Sequence, residues 1–335
     1  MSNSLLSVLD PKAIAGLIDR RIPVGFRGLE SIFKDSIKPR DNMFTLEFDV
    51  RYGRIPRAPM SSPKAPSSPI RVGKVKKLLL EPACIKGHHR VFEADAARMR
   101  TPGGLGPYGD KLMADAADTI GKAVQTTKEW MIWQAQRGSI TYSNTETGLQ
   151  FNVNFGQDAS HLPVNLTTAK WDAPTTADPL GDIETYIGII ERDGGVTPTA
   201  IVMNRFTLAK ALKCASLQTV LAPTLKGGSL FAAFKEYLMT AYQCALEIYT
   251  GPYESEAGAN AYMVNDGEVF FCHPSAVSVE SAASEYNKTG PSNYKAGAWT
   301  AIEEIKDPLG AKIIGGENSL AALVIPGASV FLTAY

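Results

Sequence analysis

The segment "YGDKLMADAADTIGKAVQTTKEWMIWQAQRGSI", from Tyr108 to Ile140, predicts one long helix with a single buried face. Apolar or small residues recur in it every three or four positions, as a helix of this kind requires: Met113, Ala117, Ile120, Val124, Thr127 and Met131. Asp110 is placed to cap the start, and Gly138 is placed to end it. A helix over about residues 110–137 is roughly 40 Å long at about 1.5 Å per residue, which is long for a globular domain.

The residues after this helix predict a β-hairpin. In "ITYSNTETGLQFNVNF", from Ile140 to Phe155, two stretches of alternating apolar and polar residues flank a polar turn. A long helix followed directly by a hairpin is therefore the central unit of the predicted fold.

The residues before the helix predict a long two-stranded excursion over 41–82. "FTLEFDV", from Phe44 to Val50, alternates as a half-buried strand does, and "IRVGKVKKLLLEP", from Ile70 to Pro82, can return as its partner. The segment between them is rich in proline and serine, and proline at this density cannot join the interior of a sheet. Two interpretations stay open: a flexible surface loop, or an arm that is buried against a neighbouring subunit.

A second helix start is predicted in "KWDAPTTADPLGDIETYIGIIERDGG", from Lys170 to Gly195. Asp178 is placed as its N-cap and Pro179 at its first position, where a missing N–H costs nothing. Asp182 and Glu184 then lie near the positive end of the helix dipole. The apolar side of this helix is defined by residues at positions i, i+3, i+4 and i+7: Ile183, Tyr186, Ile187 and Ile190. The carboxylates are thus interpreted as a helix start rather than an active site, and are expected to point away from the core.

The remainder predicts a mixed α/β lobe and an apolar tail. After a helix to about Arg192 come a strand, two helical segments and three strands, in this order: "TAIVMN", "RFTLAKALKC", "LFAAFKEYLMTAYQ", "ALEIYTG", "AYMVND" and "EVFFCH". The tail "LAALVIPGASVFLTAY", from Leu320 to Tyr335, is strongly β-forming and is expected to dock into an earlier sheet.

Composition limits the possible classes of protein. With 335 residues, of which 44% are hydrophobic and 20% charged, the chain is expected to fold into two lobes. Lys and Arg number 34, as do Asp and Glu, so no whole-chain charge favours nucleic acid or membrane, and self-association is permitted. No signal peptide and no transmembrane segment are predicted. The four cysteines, Cys84, Cys214, Cys244 and Cys272, are expected to be buried free thiols.

Three short motifs suggest chemistry, and each lacks a required part. "GGLGPYGDK" has Asp110 where a phosphate loop needs lysine. "CIKGHHR" offers Cys84, His88 and His89, too few ligands for a zinc site. "QDASH" places Asp158, Ser160 and His161 side by side, whereas a catalytic triad is assembled from separate segments. No catalytic, metal-binding or cofactor-binding residues are therefore predicted, although an enzyme with an unrecognised site remains an alternative hypothesis.

Taken in order, these elements resemble the Hong Kong 97-like phage major capsid proteins. Specific segments are similar to the lambda-like major capsid protein E family: "GRIPRAP" (Gly53–Pro59), "QAQRGSITY" (Gln134–Tyr142), and the pattern of Trp171, Asp178, Pro179, Asp182, Ile183, Glu184 and Tyr186. The resemblance implies an α+β capsid fold with five parts: an N-terminal arm (1–40), an extended loop (41–95), a P domain with a spine helix (96–177), an A domain (178–312) and a return strand to the P domain (313–335).

The resemblance also implies a function. A protein of this family assembles with itself into hexamers and pentamers, closes an icosahedral shell in the virion of a tailed phage, and encloses double-stranded DNA without sequence specificity. Assembly in the host cytoplasm, a scaffolding protein, a portal and, in some relatives, a decoration protein are implied as well, with no cofactor and no membrane. An encapsulin-type compartment, which encloses protein cargo, is the alternative.

Two groups of residues are candidates for roles in assembly. Basic residues of the extended loop are candidate contacts between subunits: Arg54, Arg57, Arg71, Lys74, Lys76 and Lys77. Their alternative role is to protect a strand edge from pairing. Trp171, Asp178, Pro179 and Asp182 are expected to form the hinge between the P and A domains.

Overall fold

A computed structural model describes residues 25–53, 74–92, 100–101, 104–105, 107–144, 149–162, 164–166, 169–224, 229–255, 258–306 and 309–335, together with residues 12, 14, 15 and 18. Residues 12, 14, 15 and 18 are helical, and five α-helices have described bounds: α1 (Pro107–Gln136), α2 (Pro179–Gly194), α3 (Arg205–Ala211), α4 (Ala215–Leu221) and α5 (Leu230–Tyr242). Short turns of other helix types cover Gly28–Ile32, Lys34–Ser36, Ala222–Thr224 and Pro326–Ala328.

Nineteen strands lie in the same described ranges. In chain order they are β1 (Ile37–Arg40), β2 (Leu46–Tyr52), β3 (Lys74–Leu80), β4 (Ala83–Phe92), β5 (Arg100–Thr101), β6 (Gly104–Leu105), β7 (Ser139–Asn144), β8 (Leu149–Asn154), β9 (Val164–Asn165), β10 (Ala200–Met203), β11 (Ala245–Ile248), β12 (Pro252–Glu254), β13 (Asn260–Tyr262), β14 (Glu268–Cys272), β15 (Val277–Gly290), β16 (Asn293–Ala296), β17 (Trp299–Lys306), β18 (Leu309–Leu323) and β19 (Val330–Thr333). The fold is therefore mixed, with both helices and strands, as predicted.

Two larger sheets organise the molecule. One has the order β1-β15-β18-β17, with β16 paired to β15 and β4 paired to β18; the other has the order β11-β10-β14-β19-β9. The pairs β2-β3, β5-β6, β7-β8 and β12-β13 form two-stranded ribbons. The predicted two-stranded excursion is confirmed by the antiparallel pairing of β2 with β3, and the predicted hairpin by that of β7 with β8.

The long helix is confirmed, but its start differs from the prediction. It begins at Pro107, so Asp110 lies inside the first turn rather than at the cap. Proline suits this first position because the N–H that it lacks has no partner there in any helix. Gly138 follows the last turn with a φ of +87°, a left-handed conformation that favours glycine.

One face of α1 packs on the six-stranded sheet. Ile120 and Val124 lie in a buried cluster with Val91 of β4 and Ile313 of β18. Further along the helix the buried stripe passes through Lys128 rather than through the predicted Thr127, which is only half-buried.

The helices α2 to α5 cover the five-stranded sheet. Ile183 and Ile187 of α2 and Phe234 of α5 share a buried cluster with Phe271 of β14 and other sheet residues. The predicted strand and helical segments between residues 199 and 273 are present, and α4 is an additional short helix that the sequence pattern did not predict. Within the described residues, no helix is long and apolar enough to cross a membrane.

The tail is divided between the two sheets. Residues up to Leu323 extend β18 in the six-stranded sheet, whereas β19 pairs with β14 in the five-stranded sheet. The strands β15 and β17 lie within residues 178–312, the segment that was expected to form the A domain together with α2. Both strands pair with β18 in the six-stranded sheet and not in the five-stranded one.

Candidate functional site

The β2–β3 ribbon has one face on the core and one face towards solvent. Leu46, Phe48 and Val50 are fully buried, as the alternation of apolar and polar residues in the sequence predicted. On the opposite face, Val75 is 51% exposed and Leu79 is 69% exposed, and both lie among charged side chains. Val75 and Leu79 are therefore apolar side chains on the solvent face of the ribbon.

The basic candidates of the extended loop fall into two groups. Arg54, Arg57 and Arg71 lie outside the described residues. Lys74, Lys76 and Lys77 are in β3 and all three are exposed. Lys77 forms an ion pair with Glu47 across the ribbon, whereas Lys74 and Lys76 lie opposite Tyr52 and Val50. The three lysines thus follow one strand but not one face.

The start of α2 is held by a tryptophan. Trp171 is 1% exposed, and its backbone N–H donates to the carbonyl of Ala334 at 2.9 Å. Its indole Nε1 donates to Asp182 Oδ2 at 2.8 Å. Asp182 therefore points towards the protein and not away from it, which corrects the expectation. Burial raises the pKa of Asp182, and the hydrogen bond from Trp171 acts in the opposite direction.

Asp178 occupies the N-cap position and Pro179 the first position of α2, as predicted. The Asp178 side chain makes no capping hydrogen bond, however, and this differs from the usual role of aspartate at this position. Its carboxylate lies over Gly181, where an added Cβ atom would be 2.6 Å from Oδ2. The helix start therefore depends on Pro179 and on the Trp171–Asp182 contact.

The end of α2 contacts the segment that joins the two larger sheets. Asp193 Oδ2 lies 3.2 Å from His161 Nε2, and His161 Nδ1 lies 3.0 Å from the carbonyl of Ser329. Arg192 forms a bidentate pair with Asp193, and this pairing holds the pKa of Asp193 below its usual range. His161 therefore connects the end of α2, through Asp193, to Ser329 in the turn before β19.

Buried polar groups anchor α1 on both of its sides. The Nζ atom of Lys128 donates to Glu317 of β18 at 2.9 Å, with both side chains almost fully buried. The carboxylate of Glu129 accepts hydrogen bonds from the backbone N–H groups of Gly28 and Leu29, each at 2.8 Å. These buried polar residues were not predicted from the sequence, although the position of Lys128 four residues after Val124, on the apolar stripe, was a signal.

Within the described residues, the side chains of "QDASH" and "CIKGHHR" are not brought together as a triad or a metal site, and "GGLGPYGDK" lies partly outside these residues. Ser160 donates to Asp158, but His161 faces Asp193 and Ser329 instead, so the "QDASH" residues are not arranged as a triad. His88 and His89 are neighbours on β4 and therefore point to opposite faces of the sheet.

Cys84 is exposed, contrary to expectation, while the other three cysteines are buried free thiols. Among the described residues there is no group of three or more His, Cys, Asp or Glu side chains that could hold a metal ion.

Comparisons with known proteins agree with the arrangement of the elements. Residues 32–334 match the sequence profile of the family described as phage major capsid protein E. No curated protein sequence shows significant similarity to the chain.

Several solved structures share the fold over nearly the whole chain. A prophage protein of E. coli CFT073 that is assigned as a capsid protein has a TM-score of 0.63 at 14% identity, covering 98% of this chain and 99% of that one. A phage-related protein of Bordetella bronchiseptica RB50 has a TM-score of 0.60 at 13% identity, with 98% and 97% covered. A virus-like particle from Pyrococcus furiosus has a TM-score of 0.51 at 11% identity, with 96% and 98% covered.

These likenesses confirm the Hong Kong 97-like fold, and the profile match extends over almost the whole length of the protein. The chain therefore belongs to the phage major capsid protein E family, whose members form the shell of the virion.

Proposed function

We propose that this chain is the major capsid protein of a tailed, double-stranded DNA phage, and that it assembles as hexamers and pentamers into a closed icosahedral shell. The single observation that carries the proposal is the family match over residues 32–334. The exposed apolar side chains of the β2–β3 ribbon support it, because they leave a surface that a neighbouring subunit can cover.

The division into domains belongs to the same proposal. The N-terminal arm (1–40) and extended loop (41–95) precede a P domain that begins near residue 96 and an A domain that begins near Asp178. The sheet pairing supports an adjustment, in which β15, β17 and β18 are counted with the P domain because they form one sheet beneath α1. The A domain then consists of α2 to α5 and the five-stranded sheet.

The candidate residues receive roles on this basis. Lys74, Lys76 and Lys77, with Arg54, Arg57 and Arg71, contact the neighbouring subunit through the ribbon and its tip. Trp171, Asp178, Pro179 and Asp182 form the hinge between the P and A domains. The Trp171–Asp182 contact brings two of these residues together at the start of α2.

The proposed partners follow from the proposed assembly. The subunit assembles in the host cytoplasm with copies of itself, a scaffolding protein and a portal, and a decoration protein is a further candidate. The shell encloses DNA without reading its sequence, and the chain is a structural protein rather than an enzyme.

The contents of purified particles test this function. Particles from infected or induced cells are treated with nuclease and then opened, and the released material is analysed for nucleic acid and for protein. We expect double-stranded DNA that the shell had protected from the nuclease. A folded protein cargo without DNA would contradict the proposal and favour an encapsulin-type compartment.

A further inference from the structure

The face of the six-stranded sheet that is turned away from α1 carries a row of basic side chains. Gly315 of β18 faces α1, since a Cβ atom there would lie 2.9 Å from Cγ2 of Ile120. Successive side chains of a strand point to opposite faces of the sheet, so Lys312 and Ile314, which are three positions and one position before Gly315, point away from α1. In the register of β4 with β18, Arg90 lies opposite Lys312 and His88 lies opposite Ile314. Residues directly opposite in such a pair share a face.

This face, which we call the basic face, is defined by Lys86, His88 and Arg90 of β4 and Lys312 of β18. The three β4 side chains are exposed and lie at every second residue, so they are spaced by about 6.8 Å along the strand. Glu303 is the carboxylate that approaches Lys312, at 3.6 Å. Burial and the nearby charges of Lys312 and Arg90 lower the pKa of His88, with Glu303 acting against them.

A cavity of about 310 Å³ opens on the basic face beside an aromatic pair. Tyr286 stacks on Trp299 with ring centroids 4.3 Å apart and an interplanar angle of 18°. Tyr286 is 63% exposed, whereas Trp299 is 2% exposed. The indole Nε1 of Trp299 is buried and finds no acceptor within the described part of the chain.

We propose that the basic face binds the phosphodiester backbone of duplex DNA. Lys, Arg and Tyr side chains are common phosphate contacts, and they position a protein on DNA without reading its sequence. Lys86, Arg90 and Lys312 distribute positive charge over two neighbouring strands, which suits a polymer with many negative charges better than it suits one acidic side chain. The inference rests on the proposed function, in which the shell encloses DNA, and it assigns the basic face to the interior of the shell.

Binding of a fluorescein-labelled 30-base-pair duplex to the unassembled protein tests the inference. Fluorescence anisotropy is measured over a series of salt concentrations for the wild type and for the double variant Lys86→Gln/Arg90→Gln. We expect affinity about tenfold lower at about 0.1 M salt, and a salt slope reduced by about 2, since each lost phosphate contact removes about 0.9 from the slope. The matched control is Lys74→Gln/Lys76→Gln, which removes the same charge from β3 and should leave both values unchanged.

Labelling of Cys84 gives a second readout on the same face. Cys84 is exposed and lines the cavity, while the other three thiols are buried. We expect the duplex to slow maleimide labelling of Cys84 severalfold, and inorganic phosphate or a poly-glutamate peptide to have little effect. Equal protection by poly-glutamate would overturn the inference in favour of an acidic protein partner.

Other outcomes separate this inference from the proposed function. An equal loss of affinity in both double variants would overturn it, because binding would then follow total charge and not the basic face. If the Lys86/Arg90 variant does not fold, Lys312→Gln tests the same face with a single change. Shells of normal form together with unchanged DNA binding in the variant would refute the inference and leave the proposed function intact.

Discussion

The contact between Trp171 and Asp182 illustrates how one residue pair connects the start of α2 to the body of the protein. The indole N–H is the donor that offsets the partial burial of the carboxylate. The sequence predicted that both residues belong to the same feature, but it placed the carboxylate in solvent. A helix pattern fixes the angle of a side chain around the helix axis and contains no information about a partner eleven residues earlier.

A change of Trp171 to Phe should make stability more sensitive to pH. Loss of the indole donor raises the native pKa of Asp182 further, while the unfolded value stays at about 3.9. The native state then holds a proton that the unfolded state has released, so the free energy of unfolding falls as pH rises from about 4 through the native pKa. We expect a larger fall between pH 4 and pH 7 than in the wild type, measured by urea unfolding below the concentration at which particles form. The same fall in Trp171→Phe, in the control Trp130→Phe and in the wild type would contradict this account.

Glu129 should be among the most sensitive single positions. It is fully buried and accepts from two backbone N–H groups and from Trp133 Nε1, and glutamine would replace one acceptor oxygen by an amide donor. We expect Glu129→Gln to lower the free energy of unfolding by about 1.5–3 kcal/mol, measured by urea unfolding. Glu184→Gln, at an exposed position of α2, is the control and should change it little. Equal stabilities of the two variants would show that the Glu129 contacts contribute nothing.

At the scale of elements, the close approach of α2 to the turn before β19 depends on two glycines. A Cβ atom at Gly194 would lie 2.5 Å from the carbonyl oxygen of Gly327, which is backbone and cannot move aside as a side chain does. We expect Gly194→Ala to cost about 1–3 kcal/mol in urea unfolding.

Gly188 in the same helix provides the matched comparison for Gly194. A Cβ atom there meets nothing within 4 Å, so Gly188→Ala should stabilise the protein by about 0.5–1 kcal/mol through the higher helix propensity of alanine. If Gly194→Ala stabilised the protein as much as Gly188→Ala does, the two segments would not be packed as closely as the structure has them.

The elements that the sequence predicted share a clear period, and those that it missed do not. The strand β2 alternates burial and exposure regularly, and Ala117, Ile120, Val124 and Met131 of the stripe predicted in α1 are buried, so these patterns were sufficient. The first eight residues of β15, Val277–Ser284, are all buried, and therefore show no alternation from which a strand could be predicted. The helix α4 has only seven residues, and its packing against α5 and α2, rather than its own sequence, makes it helical.

For the whole molecule, the segment that connects β2 to β3 should contribute to the stability of the shell and not to that of the subunit. Deletion of Met60–Ser68, which lie outside the described residues, should leave the urea midpoint of the unassembled subunit unchanged, because the core residues of β2 remain. Assembled shells should come apart at lower urea concentration or temperature, as followed by light scattering. A replacement of the same nine residues by Gly and Ser separates the effect of length from that of sequence, and unchanged shell stability in both variants would contradict the role of the ribbon.

Cryo-electron microscopy of the purified, assembled protein tests whether this chain closes into an icosahedral shell. We expect closed particles built from clusters of six and five subunits, with the β2–β3 ribbon of each subunit lying against a neighbour. A protein that stays monomeric under every assembly condition, with no particles in the micrographs, would contradict it.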